Sequence, residues 1–175
     1  MNARHLAGRT TATTTALLAL VVASAGCAAQ QRVVPRPSER TSSVDADTAK
    51  RTMIDIVDQT IAALGGEWET RTSPDYVESC QLSSDEDGAR WVYRVARAES
   101  GDAEADAAAA TDVWRSAGMT VHRLADTEGP AMVARGGDRV ETIRFYVFPG
   151  NYSIQALSTC FAGDADEIEE QQADG

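Results

Sequence analysis

The stretch TIRFYVFPGNYSIQALSTCF, Thr142 to Phe161, decides the fold. Two apolar-rich arms, Thr142 to Phe148 and Tyr152 to Phe161, flank Pro149-Gly150-Asn151, three residues whose backbone preferences suit a tight reversal. The stretch therefore predicts a pair of antiparallel strands. Side chains alternate with period two, so Ile143, Phe145 and Val147 share one face of the first arm, and Tyr152, Ile154, Ala156 and Cys160 share one face of the second. An apolar face of that size has to be covered.

The cover lies upstream. Between Asp47 and Leu64, Met53, Ile54, Val57, Ile61 and Leu64 recur at helical spacing, with Asp45 and Asp47 as cap candidates and Gly65-Gly66 as the stop. A second helix is predicted over Asp102 to Ala117, its stripe Ala107, Ala110, Val113, Trp114 and Ala117, its stop Gly118. A face made mostly of alanine can approach a sheet closely, with Trp114 as the one large anchor. Further strands are expected at Tyr76 to Leu82, around Trp91, Tyr93 and Val95, at Met119 to Leu124 and at Ala131 to Arg135, with turns at Ser83 to Gly88, Glu128-Gly129-Pro130 and Gly136-Gly137-Asp138. The order predicts an α+β domain: an antiparallel sheet of about five or six strands with two helices packed on one face.

Outside this core the chain changes character. Arg4 and Arg9, an apolar run from Ala16 to Val22, and the small residues Ser24-Ala25-Gly26 before Cys27 follow the order of a bacterial export signal. The run is short of the ~20 apolar residues that span a bilayer. Two processing sites compete: cleavage before Cys27 with lipid on its thiol, or cleavage after Ala23-Ser24-Ala25, leaving Gly26 at the start of a secreted chain. Cysteine parity favours lipid, because three cysteines leave an odd thiol in an oxidising compartment unless Cys27 is modified. Cys80 and Cys160 then remain as a disulfide pair, and the lack of a Cys-x-x-Cys spacing argues against a redox couple. The organisation expected is a signal over 1–26, a disordered tether over 27–45, the folded domain over 46–163 and an acidic disordered tail over 164–175. About 20 tether residues at ~3.3 Å each would let the domain stand up to about 65 Å from its anchor.

Charge and composition exclude several functions. Of 16 basic and 27 acidic side chains, Arg4 and Arg9 leave with the signal and no acid does, so the net charge moves from −11 to about −13. Such a chain repels phosphate backbones, and no nucleic-acid partner is expected. His122 is the single histidine of the mature chain, and no Gly-x-Ser-x-Gly elbow is present, so no catalytic residue is assigned. Zinc spacing is absent, and Asp85-Glu86-Asp87-Gly88 lacks the ligand spacing of a calcium loop, so no metal and no cofactor is expected. Trp68, Trp91, Tyr93, Tyr146 and Tyr152 are the candidate binding surface, on a sheet face turned away from the helices.

The signal ending in cysteine, Ala63 to Trp68 (Ala-Leu-Gly-Gly-Glu-Trp), Ser73-Pro74 followed by Cys80, Trp114 to Val121, and Pro149-Gly150, Tyr152 and then Cys160 together resemble small actinobacterial cell-envelope lipoproteins of the LppA-like kind. The resemblance implies a lipoprotein with one disulfide, and it carries over no catalytic position. The function expected is a non-catalytic interaction or ligand-binding module, held by lipid on the outer face of the cytoplasmic membrane and meeting an envelope protein or a small ligand. Two alternatives are an extracytoplasmic hydrolase using a pair of carboxylates, and a carrier or sensor of an apolar molecule with a cavity between helices and sheet.

Overall fold

Six strands and three helices make up the described part of the computed structural model, which covers residues 44–99, 101–125, 127–138, 140–148 and 151–174. The signal, Cys27, nearly all of the tether and the Pro149-Gly150 turn lie outside the described residues. Helix α1 (Ala46–Leu64) leads into β1 (Glu69–Gln81) and β2 (Asp87–Arg97); α2 (Ala103–Ser116) follows, then β3 (Thr120–Arg123), β4 (Ala131–Gly136), β5 (Val140–Phe148), β6 (Asn151–Leu157) and α3 (Ala165–Ala173). The sheet order is β1-β2-β6-β5-β4-β3, with every neighbouring pair antiparallel. The last strand in the chain is thus inserted between β2 and β5. The fold is α+β, with α1 and α2 on one face of the sheet, as the sequence predicts.

The helix ends follow local chemistry. Asp45 caps α1, its carboxylate accepting from the Thr48 amide at 2.9 Å, and Asp102 caps α2 through the Ala105 amide at 3.1 Å. Gly65, at φ 63°, closes α1 in a conformation open to glycine. The buried stripe of α1 is Ala49, Met53, Ile56, Val57 and Thr60, whereas Ile54, Ile61 and Leu64 lie at its half-buried margin. The stripe is turned relative to the predicted one because Thr60 is a core residue. Its hydroxyl donates to the Ile56 carbonyl and accepts from the Trp114 indole at 2.9 Å, which satisfies both groups in a dry site. Against the two helices the sheet packs Val95, Ile143, Phe145, Val147, Ile154 and Ala156, each nearly or wholly closed to solvent.

Two expectations change. The acidic tail is ordered from Ala165 to Ala173: Asp164 caps α3 through the amides of Asp166 and Glu167, Asp166 and Glu167 suit the positive helix start, Ala165 is buried, and Ile168 packs against the core. One apolar residue suffices as an anchor when a helix start and a packed alanine assist it. The face assignment of Cys160 also changes. The ladder of β6 with β2 ends at Leu157, and the next bridge, Ala89 with Phe161, carries one residue more on the β6 side. That bulge turns Phe161 to the helix side, against the Trp91 ring at 5.4 Å, and sends Cys160 to the opposite side.

Candidate functional site

Directly paired residues of antiparallel strands point to the same side, so the register sorts the five candidate aromatics. Trp91, Tyr93 and Tyr152 share the side of Val95, Ile154 and Phe145, under the helices; Trp91 and Tyr152 are buried and Tyr93 half-buried. Trp68, on the loop after α1, packs on Phe145 with ring centroids 6.2 Å apart, and its indole donates to the Gly65 carbonyl. Tyr146 alone of the five lies on the opposite face, which is left uncovered by the described residues. The five therefore do not form one surface. Alternation within a strand was legible from sequence, but which side met the helices depended on partners far away in the chain.

The covered aromatics instead surround one charge. The Arg97 guanidinium, its side chain 7 % exposed, pairs with Asp106 on α2, donates to the carbonyls of Leu64 and Gly65, and lies over the rings of Trp68 (5.2 Å) and Tyr152 (4.5 Å). The Tyr152 hydroxyl donates to the same Asp106 carboxylate at 2.9 Å. Burial, and then that carboxylate, push the phenol above its ordinary value of 10.0, while Arg97 pulls the other way. This cluster ties α1, β2, α2 and β6 together. Nearby charge is handled more loosely at the surface: the Lys50 ammonium donates to Asp75, holding that carboxyl below its ordinary range, and Arg123 does the same for Glu104.

The uncovered face is organised in rows across the strands. Its middle row runs Thr72, Arg94, Gln155, Arg144, Val133 and His122, one residue from each strand. On one side lies the row Tyr76, Val92, Leu157, Thr142, and on the other Ala96, Ser153, Tyr146, Ala131. Arg94 and Tyr76 are exposed, Gln155, Arg144, Tyr146 and Leu157 half-buried, and Val92, Thr142 and Ser153 buried beneath them. Long side chains thus roof the short ones, their apolar stems down and their polar ends outward. Sequence reasoning assigned no role to Arg94, Arg144 or Gln155. A signal was present in Arg144, the one charge inside an apolar arm.

At the end of this face, beside the β1–β2 turn, Cys80 and Cys160 form a disulfide. Cys80 is paired with Gly88 of β2, and a Cβ at Gly88 would come within 2.9 Å of Cys160 Sγ and 2.7 Å of the Phe161 carbonyl oxygen. The disulfide reaches Cys160 across β2 because Gly88 has no side chain. Such a bond is compatible with an oxidising, extracytoplasmic compartment. No helix among the described residues is long and apolar enough to cross a membrane.

The remaining candidates are separate. His122 is exposed on the edge strand β3, and no group of three metal-ligating side chains occurs among the described residues. Open hollows of about 670 and 210 Å³ flank the Arg123–Glu104 pair beside α2, and the smaller, lined by α2 with Arg123 of β3 and Met132 of β4, lies at the margin of the interface between the helices and the sheet. Trp114, Phe145, Met53 and Ile56 fill that interface.

The fold has a solved counterpart. The crystal structure of a DUF4853 family protein from Actinomyces odontolyticus superposes with a TM-score of 0.51 at 19 % identity, over 68 % of this chain and 69 % of that one. At that identity the likeness concerns the fold alone. No protein-family model matches the sequence, and no curated protein does.

Proposed function

We propose that this protein is a lipid-anchored, non-catalytic interaction module of the cell envelope, of the LppA-like kind, with Cys27 carrying the lipid and the uncovered sheet face meeting the partner. The observation that carries the reading is the asymmetry of the sheet: one side is closed by α1 and α2, while the other presents Arg94, Gln155, Arg144 and Tyr146 over its central strands. An antiparallel sheet tolerates one solvated face, and side chains held on paired strands form a rigid surface for docking. The pairing of Cys80 with Cys160 supports the compartment and leaves Cys27 as the thiol available for lipid.

Two measurements test the reading. Mass spectrometry of the protein from its native membrane should find Cys27 as the N-terminal residue with added diacylglyceryl mass, and Cys27→Ser should release the chain into the medium; an unmodified N-terminus at Gly26 overturns the anchor. A photoreactive residue replacing Gln155 should give a discrete adduct in intact cells, while the same group at Asp58, exposed on α1, gives none. Equal labelling from both positions, or none from Gln155, overturns the interaction face.

A further inference from the structure

The middle row of the open face brings together two arginines without carboxylate partners in a chain rich in carboxylates. Acidic side chains outnumber basic ones 27 to 16, so carboxylates are abundant everywhere. Arg71 pairs with Glu69, Arg90 with Glu78 and Glu141, Arg97 with Asp106, and Arg123 with Glu104. Arg51, Arg94, Arg115, Arg135 and Arg144 have no carboxylate within 4.0 Å among the described residues, and of these Arg94 and Arg144 share one row of the sheet. Arg94 and Arg144 stand on either side of Gln155 in one row, two strand spacings apart, which is about 10 Å. Two unpaired arginines thus flank Gln155 at the centre of the sheet face that no described element covers.

We propose that Arg94, Gln155 and Arg144 recognise an acidic, partly apolar segment of a partner polypeptide, with each guanidinium taking a carboxylate and the Gln155 amide taking a peptide group between them. The proposal rests on the interaction face described above and adds the chemistry of what it binds. Arginine offers a planar fork that matches a carboxylate in two parallel hydrogen bonds. Phosphate would satisfy the arginines equally, so the choice of polypeptide comes from their surroundings. Gln155 both donates and accepts, as a peptide group does, whereas a phosphate diester offers acceptors only. The flanking rows hold Tyr76 and Leu157 on one side and Ala96 and Tyr146 on the other, which suit apolar side chains and find no counterpart in a polyol phosphate chain. Carboxylates about 10 Å apart on one side correspond to residues three apart in a polyproline II segment, which returns to the same face every three residues at about 3.1 Å rise each. The excess negative charge of the rest of the molecule repels an acidic partner elsewhere and so confines it to this row.

The test uses the mature lipoprotein in neutral detergent and a fluorescent synthetic peptide with glutamate at every third position and leucine or tyrosine between. Anisotropy should show saturable binding that weakens as salt is raised. Glutamine in place of the glutamates, or Arg94→Glu with Arg144→Glu, should weaken binding at least tenfold. The milder Arg94→Lys with Arg144→Lys should retain salt-dependent binding while losing part of the affinity, and Arg115→Glu on α2 should change nothing. Each variant is compared at an unchanged denaturation midpoint, and if the double glutamate variant unfolds, Arg94→Gln with Arg144→Gln replaces it with the same loss expected. Binding that survives glutamine substitution in the peptide, or charge reversal in the protein, overturns the proposal. Tighter binding to polyphosphate or to phosphatidylglycerol vesicles than to the peptide overturns the choice of polypeptide. A Gln155 crosslink in cells without peptide binding sinks the acidic-segment proposal while leaving the interaction face standing.

Discussion

At Gly88 the requirement is for the absence of a side chain. Its neighbours are a backbone carbonyl oxygen and a disulfide sulfur, neither of which can swing aside as a surface side chain would. Gly88→Ala should therefore destabilise the protein by about 1 to 3 kcal/mol through forced displacement of the 160–161 segment, measured as a fall in the denaturant midpoint. Gly65→Ala, where space is open but φ is positive, serves as a comparison of backbone strain without a clash. In sequence Gly88 reads as the last residue of a polar turn, and its real constraint was not legible because the clashing groups lie more than seventy positions away. Tyr152 supplies a second residue-scale expectation. Its phenol is raised in the folded state, so the stability it contributes is fully present below the unfolded value near 10 and is lost as pH climbs through the folded value. Tyr152→Phe should flatten that part of the stability profile, and ultraviolet titration of the four tyrosines should lose its highest-pH component. An unchanged alkaline limb would mean that burial and the Asp106 carboxylate do not hold the phenol protonated.

Between elements, the contact that fixes α1 against α2 is a hydrogen bond inside an apolar seam. Trp114 is wholly buried, and its indole nitrogen has Thr60 as its acceptor. Thr60→Val keeps the shape and removes the acceptor, leaving a buried donor without a partner, and should cost about 1 to 3 kcal/mol. Thermal unfolding measures it, and a loss well below that range would show that the indole finds another acceptor. Both helices were legible in the sequence from spacing, caps and terminal glycines, because those signals are local. The turn of α1 toward Thr60 was not, since a threonine counts as polar until its partner on another helix is known. The same limit applies to α3. Four acids within Asp166 to Glu170 argue for a solvated end, yet Ala165 is buried and Ile168 packs against the core near Phe161, so Ile168→Ala should lower stability by about 1 kcal/mol, less than a fully buried isoleucine would. The candidate site was legible only in part for a related reason: period-two alternation separates two faces but cannot say which one the helices cover.

Across the whole molecule, the sheet closes late. β6 is the last strand made and occupies a central place, so its pairing with β2 joins segments separated by α2 and three other strands. Such a seam has high contact order and a large entropic cost of closure. The disulfide sits at one end of that seam and closes a loop spanning 80 positions of sequence, so it limits the freedom of the unfolded chain where closure is most costly. Loop entropy puts its contribution at roughly 4 kcal/mol. The sequence pointed to this pair by counting sulfurs, whereas the strand order that gives the pair its leverage has no local signature. Cys80→Ala with Cys160→Ala should therefore lower the unfolding free energy by about that amount and steepen the denaturant dependence, because the unfolded chain expands once the cross-link is gone. Refolding should slow as well, since β6 must then find β2 by diffusion alone. A loss below about 1 kcal/mol, with refolding unchanged, would show that packing of Ile154 and Ala156 under the helices is enough to close the sheet.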